Sequence, residues 1–280
     1  MDDSGRRFKS DLLGVKPSEP ADGRRPQVRA VDINCDVGES ETVLETRRDL
    51  SLLRYVTSAN IACGFHAGGP SIMAATVSSC SKLGVGMGAH PSFPDRAGFG
   101  RRKIELGEDE LYRTLVYQVG ALDAIAHSLR ASIYHLKAHG ALYNMACKRR
   151  DYADAIVKCA KITGKAVLAP ADSMVEVSAR ASRVKFAAEG FVDRGYLSDG
   201  TLAPRGSRGA LILDPAVAAK RAIMMLDGSP VDTIDGGRLV VRVQSLCVHS
   251  DTPGAPLIVR AVARGLKSAG FLPKPLMEIL

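Results

Sequence analysis

Ala30-Val31-Asp32-Ile33-Asn34-Cys35-Asp36 is the stretch on which the fold turns. Apolar and polar residues alternate along it with a period of two, which is the pattern of a β-strand. Further short runs, rich in β-branched or small residues, follow at 58–63, 84–90, 132–137, 166–169, 184–189 and 239–248. Helix-like segments lie between them near 48–56, 70–83, 108–129, 151–163, 172–182 and 214–227, with a last one near 255–268. Pro70 and Pro215 suit a first helical turn, and Asp214 suits an N-cap before Pro215. Leu111, Leu115, Val119, Leu122 and Ile125 recur at three- and four-residue steps, the stripe of a helix lying on a sheet. Strand–helix alternation over about seven units predicts an α/β fold with a parallel sheet. The run Gly84-Val85-Gly86-Met87-Gly88 does not meet the dinucleotide pattern G-x-G-x-x-G, and no P-loop motif occurs. A closed or nearly closed barrel is therefore favoured over a doubly wound sheet.

Composition narrows the function classes. The chain has 280 residues, 46% hydrophobic and 24% charged, with a formal net charge of +8. That is enough to bury a sizeable core and too apolar for a disordered chain. No apolar run is long enough for a membrane span, and no secretory signal pattern opens the chain. Six scattered cysteines without a CxxC pair read as reduced thiols in a cytoplasmic protein. The positive surplus raises nucleic acid as a partner. However, Trp is absent and aromatic residues make up 5%, so stacking platforms are lacking. A small anionic substrate or an acidic partner fits the charge at least as well. Residues 1–28 are polar and proline-containing and read as a flexible N-terminal extension; residues 29–280 read as a single β/α barrel domain.

The chemistry-bearing residues gather at strand ends. Asp32, Asn34, Asp36 and Glu39 lie along and just beyond the first strand, and Asn60 and His66 follow the second. His90 ends the third, Lys137 and His139 the fourth, Glu189 the sixth, and His249 with Asp251 the seventh. The C-terminal ends of barrel strands open on one face, so these residues are expected to converge there. A lone histidine in a loop is more often a satisfied loop residue than a ligand. Four of six at strand ends argue otherwise. Arg96 and Arg101 can clamp a carboxylate or phosphate, or simply line a solvated loop. Lys137 in an apolar strand needs an anion beside it. His127 and His135 do not fit the strand-end pattern and are set aside. Cys35 and Cys63 read as small buried thiols before they read as nucleophiles.

Several blocks resemble one family. These are Asp32-Ile33-Asn34-Cys35-Asp36-Val37-Gly38-Glu39, the segments 58–68, 88–95 and 98–102, His139-Gly140-Ala141-Leu142-Tyr143-Asn144, Glu189-Gly190-Phe191 with Asp193-Arg194, and Cys247-Val248-His249 with 251–255. In this order they resemble the LamB/YcsF family from about residue 30 to the C-terminus. The resemblance implies an irregular seven-unit β/α barrel of the glycoside hydrolase/deacetylase-like type. It also implies an ATP-dependent 5-oxoprolinase, which opens the cyclic amide of 5-oxo-L-proline to L-glutamate with separate B and C subunits. Its cofactor would be ATP with Mg as counterion. The chain departs from the family pattern at Gly69, where A-G-D-P is usual, at Ala138 in K-P-H-G, at Ser250 in C-V-H-G-D, and along 40–49.

On this reading Asp36 and Glu39 are acid/base candidates, and His66 and His139 shuttle protons or donate hydrogen bonds beside Lys137. Asn34, Asn60, His90, Arg96, Arg101, Glu189 and His249 are the expected substrate-binding set. A runner-up is metal-dependent amide or ester hydrolysis with a divalent ion on Asp36, His66 and His139. A third reading, favoured by the missing carboxylate at Gly69, is a non-catalytic lactam-binding subunit.

Overall fold

Strand β1 (Arg29–Val37) is buried from Val31 onward on both faces, as a strand must be when a helical layer covers one side and a barrel interior the other. A computed structural model describes residues 29–280, and the extension expected over 1–28 lies outside them. After β1 come α1 (Val43–Leu50), a 3-10 turn (Ser51–Arg54), β2 (Ser58–Ala62), α2 (Pro70–Leu83), β3 (Gly86–His90) and α3 (Glu108–Ser128). Then follow β4 (His135–Leu136), α4 (Gly140–Lys148), α5 (Arg150–Ile162), β5 (Ala166–Ala169), α6 (Met174–Ala181) and β6 (Phe186–Phe191). The chain finishes with α7 (Pro215–Leu226), β7 (Val231–Asp232), β8 (Arg238–Leu239), β9 (Ser245–Val248), α8 (Ala255–Ser268) and β10 (Phe271–Pro273).

Seven strands close a parallel barrel in the order β1-β2-β3-β4-β5-β6-β9, with β9 pairing back onto β1. β10 adds to the start of β1, and β7 and β8 form a separate antiparallel hairpin. This is the irregular seven-unit barrel that the alternation and the resemblance led one to expect. Val31, Ile33, Cys35 and Val37 join the apolar layer under the helices. Asp32, Asn34 and Asp36, on the other parity, turn inward and hydrogen-bond across the barrel. Ladder register sets Asp36 beside Asn60, Asn60 beside Gly88, and Gly88 beside His135. Asp214 caps α7 through the amides of Ala216 and Val217, as its position before Pro215 predicted. Among the described residues no helix is long and apolar enough to cross a membrane, and none of the six cysteines is in a disulfide.

Three elements differ from the sequence expectation. The run 239–248 is not one strand. Its start pairs with β7, and barrel pairing begins only at Gln244, whose amide donates to the Ala188 carbonyl. The first helix lies at Val43–Leu50, and the apolar Leu52 and Leu53 are buried in the 3-10 turn after it. Helix α4 carries no start signal: Gly140 is its first residue, a poor helix former, and His139 at its N-cap makes no side-chain cap bond.

Candidate active site

The barrel interior is polar in layers, where most β/α barrels are filled by branched apolar side chains. At the bottom, Asp32 accepts hydrogen bonds from the Thr57 hydroxyl (2.7 Å) and from Ser245. Above it, Asn34 donates to Ser245 (2.8 Å) and Glu189 (3.0 Å), and Asn60 donates to Asn34 (2.7 Å) and Asp36 (2.8 Å). His135 Nε2 donates to Asn60 Oδ1 at 2.8 Å. Its ring fits only because residue 88 is glycine: a Cβ there would lie 2.1 Å from His135 Nε2. The next layer holds Lys137, whose ammonium meets Asp36 Oδ1 (3.0 Å), Glu189 Oε1 (2.8 Å), Asn34 Oδ1 (3.3 Å) and Cys247 Sγ (3.2 Å). Tyr143 donates to the other Glu189 oxygen at 2.8 Å.

The mouth is built from loops after β1, β2, β3 and β4. Glu39 Oε1 accepts from His66 Nε2 at 3.0 Å and stands 3.3 Å from His139 Nδ1 and 3.8 Å from His90 Nε2. His66 and His139 stack with ring centroids 3.8 Å apart, and Phe99 packs edge-on against both. His90 Nε2 is 3.4 Å from Asp36 Oδ2, which joins the mouth to the Lys137 layer. Gly100, at φ +66°, lets the loop pass over His139; a Cβ there would be 2.7 Å from the ring.

Electrostatics divide the groups sharply. Burial would raise Asp36, but the charge of the Lys137 ammonium, 3.0 Å away, overcomes it and holds its carboxyl well below the ordinary value. Burial would likewise raise Glu39, and the hydrogen bond from His66 holds it below the carboxylate range. Lys137 goes the other way. Burial would lower it, but Asp36, Cys247 and Glu189 keep the ammonium well above its ordinary value. His66 is lowered to about 4, chiefly by burial and despite Glu39, so it is neutral at pH 7. Burial pushes the Cys63 thiol up to about 12 and Cys247 well above its ordinary value, which leaves both protonated and unsuited to nucleophilic attack.

Nine expected site residues converge in this column: Asn34, Asp36, Glu39, Asn60, His66, His90, Lys137, His139 and Glu189. Three lie on the rim. Arg96 donates to the Gly64 and Gly68 carbonyls and to Glu41, tying loops together. Arg101 pairs with Asp251, which also takes Arg205, so three loops are linked across the mouth. His249 Nδ1 sits 3.1 Å from Asp193, and its ring stacks on Phe191. Sequence reasoning set aside His135, which lies in the interior column; its spacing of two from Lys137 and four from His139 was the available signal. It also left out Tyr143 and Asp193. Among the described residues, the ligand atoms that converge within 4.8 Å are those of Glu39, His90 and His139, and of Asp36, Cys247 and His249. Asp36, His66 and His139 are not among these sets.

Comparison with known proteins agrees over nearly all of the described chain. The LamB/YcsF family model matches residues 31–280. The 5-oxoprolinase A subunit of Heliobacterium modesticaldum is 42% identical over 246 residues, covering 87% of this chain and 97% of the relative. That of Bordetella pertussis is 43% identical over 244 residues, covering 86% and 97%. The crystal structure of a lactam utilization protein from Thermus thermophilus superposes with a TM-score of 0.82 at 40% identity, covering 88% of this chain and all of that one.

Proposed function

The chain belongs to the LamB/YcsF family, and from that premise we propose that it is the A subunit of an ATP-dependent 5-oxoprolinase. It opens the cyclic amide of 5-oxo-L-proline to L-glutamate, with ADP and phosphate as the other products, in a cytoplasmic complex with 5-oxoprolinase subunits B and C. The relatives named as 5-oxoprolinase A subunits support the substrate, and near-complete coverage of their length supports the whole activity. The observation that carries the reading is the column in which Glu39 and Asp36 are held ionised under the histidines of the barrel mouth.

A lactam is resonance-stabilised and reacts slowly with water. Transfer of the γ-phosphoryl group of ATP to the lactam oxygen makes the ring carbon electrophilic. One water then adds and the C–N bond breaks; a second water releases phosphate. The chain's own residues deliver the water and manage its proton. Glu39, ionised and fixed by His66, accepts that proton. Lys137 has its donors committed to Asp36, Glu189 and Cys247, so it holds the carboxylates in place. Arg101, on the rim, binds the substrate carboxylate or a phosphate in exchange for Asp251. The non-catalytic reading loses its motive. Gly69 is the N-cap of α2, so an Asp there would cap a helix.

The test is glutamate release from 5-oxoproline and ATP by the purified chain with its cognate B and C subunits. Glu39→Gln and Asp36→Asn are expected to reduce turnover at least about a hundredfold while the proteins stay folded. Near-wild-type turnover by either variant would overturn the assignment.

A further inference from the structure

We propose that Glu39, His90 and His139 form a binding site for one divalent transition-metal ion of the zinc class. The argument starts from hydrogen bonds whose direction is fixed. His90 Nδ1 lies 2.8 Å from the Lys137 carbonyl, and a carbonyl only accepts, so Nδ1 carries the proton. His139 Nε2 lies 2.8 Å from the Phe99 carbonyl, so there the proton is on Nε2. In the neutral rings the remaining nitrogens, His90 Nε2 and His139 Nδ1, are bare. They face each other at 3.1 Å. Two lone pairs at that distance repel unless a cation lies between them. Glu39 Oε1 completes the group at 3.3 Å and 3.8 Å.

The three separations suit a metal. A triangle with edges of 3.1, 3.3 and 3.8 Å has a point about 2.0 Å from every corner, which is the bond length of zinc to imidazole nitrogen and carboxylate oxygen. Carbonyl partners on the far ring nitrogens are the usual outer support of metal-bound histidine. His66 performs the same service for Glu39. The other converging set, Asp36, Cys247 and His249, is a poor rival. The Lys137 ammonium lies 3.0 Å from Asp36 and 3.2 Å from Cys247, and a second cation there would be repelled. Two imidazoles and one carboxylate select zinc, cobalt or manganese over magnesium or calcium.

The site does not depend on what the enzyme hydrolyses, so its test is separate from turnover. The full chain is dialysed against a chelator and titrated with Zn²⁺ by calorimetry, then with Co²⁺ by visible absorption. One equivalent of each is expected to bind at micromolar affinity or tighter. Co²⁺ should give a spectrum without a thiolate charge-transfer band. Glu39→Gln and His139→Gln, each checked for folding by circular dichroism, should weaken binding at least about tenfold, and Cys247→Ser should leave it unchanged. Absence of binding at millimolar Zn²⁺ would overturn the proposal and leave a shared proton between the two rings. Loss of binding in Cys247→Ser alone would also overturn it.

Discussion

Replacing Asp32 by Asn isolates one buried carboxyl from the pH dependence of the whole barrel. Asp32 is completely buried, and that burial lifts its pKa from 3.8 to about 6 against the opposing hydrogen bonds from Ser245, Ser58 and Thr57. The folded chain thus binds this proton more tightly than the unfolded chain does. The stability contributed by Asp32 is fully present below its unfolded value of 3.8 and is lost as pH rises through about 6. At about 1.36 kcal/mol per pH unit, the loss between about pH 4.5 and about pH 8 is roughly 2 kcal/mol. An amide at this position does not titrate. It carries a roughly constant penalty, because its N–H must find an acceptor where Thr57 and Ser245 now donate. The penalty cancels when the two pH values are compared. Urea unfolding of the wild type and Asp32→Asn at both pH values, at fixed ionic strength, measures the difference. The deficit of the variant should be about 2 kcal/mol smaller at the higher pH. A deficit that is equal at both, or larger at the higher pH, would refute the idea that burial controls this carboxyl.

Three further substitutions probe the column. Gly88→Ala drives a Cβ into the His135 ring and breaks its bond to Asn60, so it should cost about 3 kcal/mol in denaturant unfolding; a cost below about 0.5 kcal/mol would mean that the ring can move aside. Lys137→Met leaves Asp36 and Glu189 without their shared cation and should cost about 3–5 kcal/mol, with part recovered when Glu189→Gln is added; equal stabilities of the single and double variants would argue against coupling. Gly69→Asp places a capping carboxylate at the start of α2, where the backbone is extended and a Cβ meets nothing within 4 Å. It should stabilise by about 0.5–1 kcal/mol without changing turnover, and lost turnover would show that position 69 acts in the site.

The barrel was legible because its strands announce themselves by parity and its helices by stripe and cap. β1 is the clearest instance: Val31, Ile33 and Cys35 on one parity and Asp32, Asn34 and Asp36 on the other have the period of a strand, and the structure buries both faces. What stayed hidden had weak local signals. α4 begins on glycine without a cap, and 239–248 is one apolar run whose start is claimed by a hairpin with β7. Tertiary pairing divides that run, and no periodicity within it marks where.

The site was read from strand ends alone, and that choice found the mouth but truncated the column beneath it. His135, Lys137 and His139 stand two residues apart and share one face of β4 and its extension, so the parity that placed Asp36 inside the barrel places His135 there too. The depth of the column has a physical reason. A carboxylate buried inside a barrel needs partners, and each partner is itself polar and buried. Asp36 requires Asn60 and Lys137, Lys137 requires Glu189, and Glu189 takes Asn34 and Tyr143. Asn60 in turn takes His135, for whose ring Gly88 has no side chain. Ionised groups at the mouth therefore commit residues three layers down. The chain's polar interior follows from the charge it must hold at the top, and a substitution at Gly88 or Asp32, below the mouth, acts on the same network as one at Glu39.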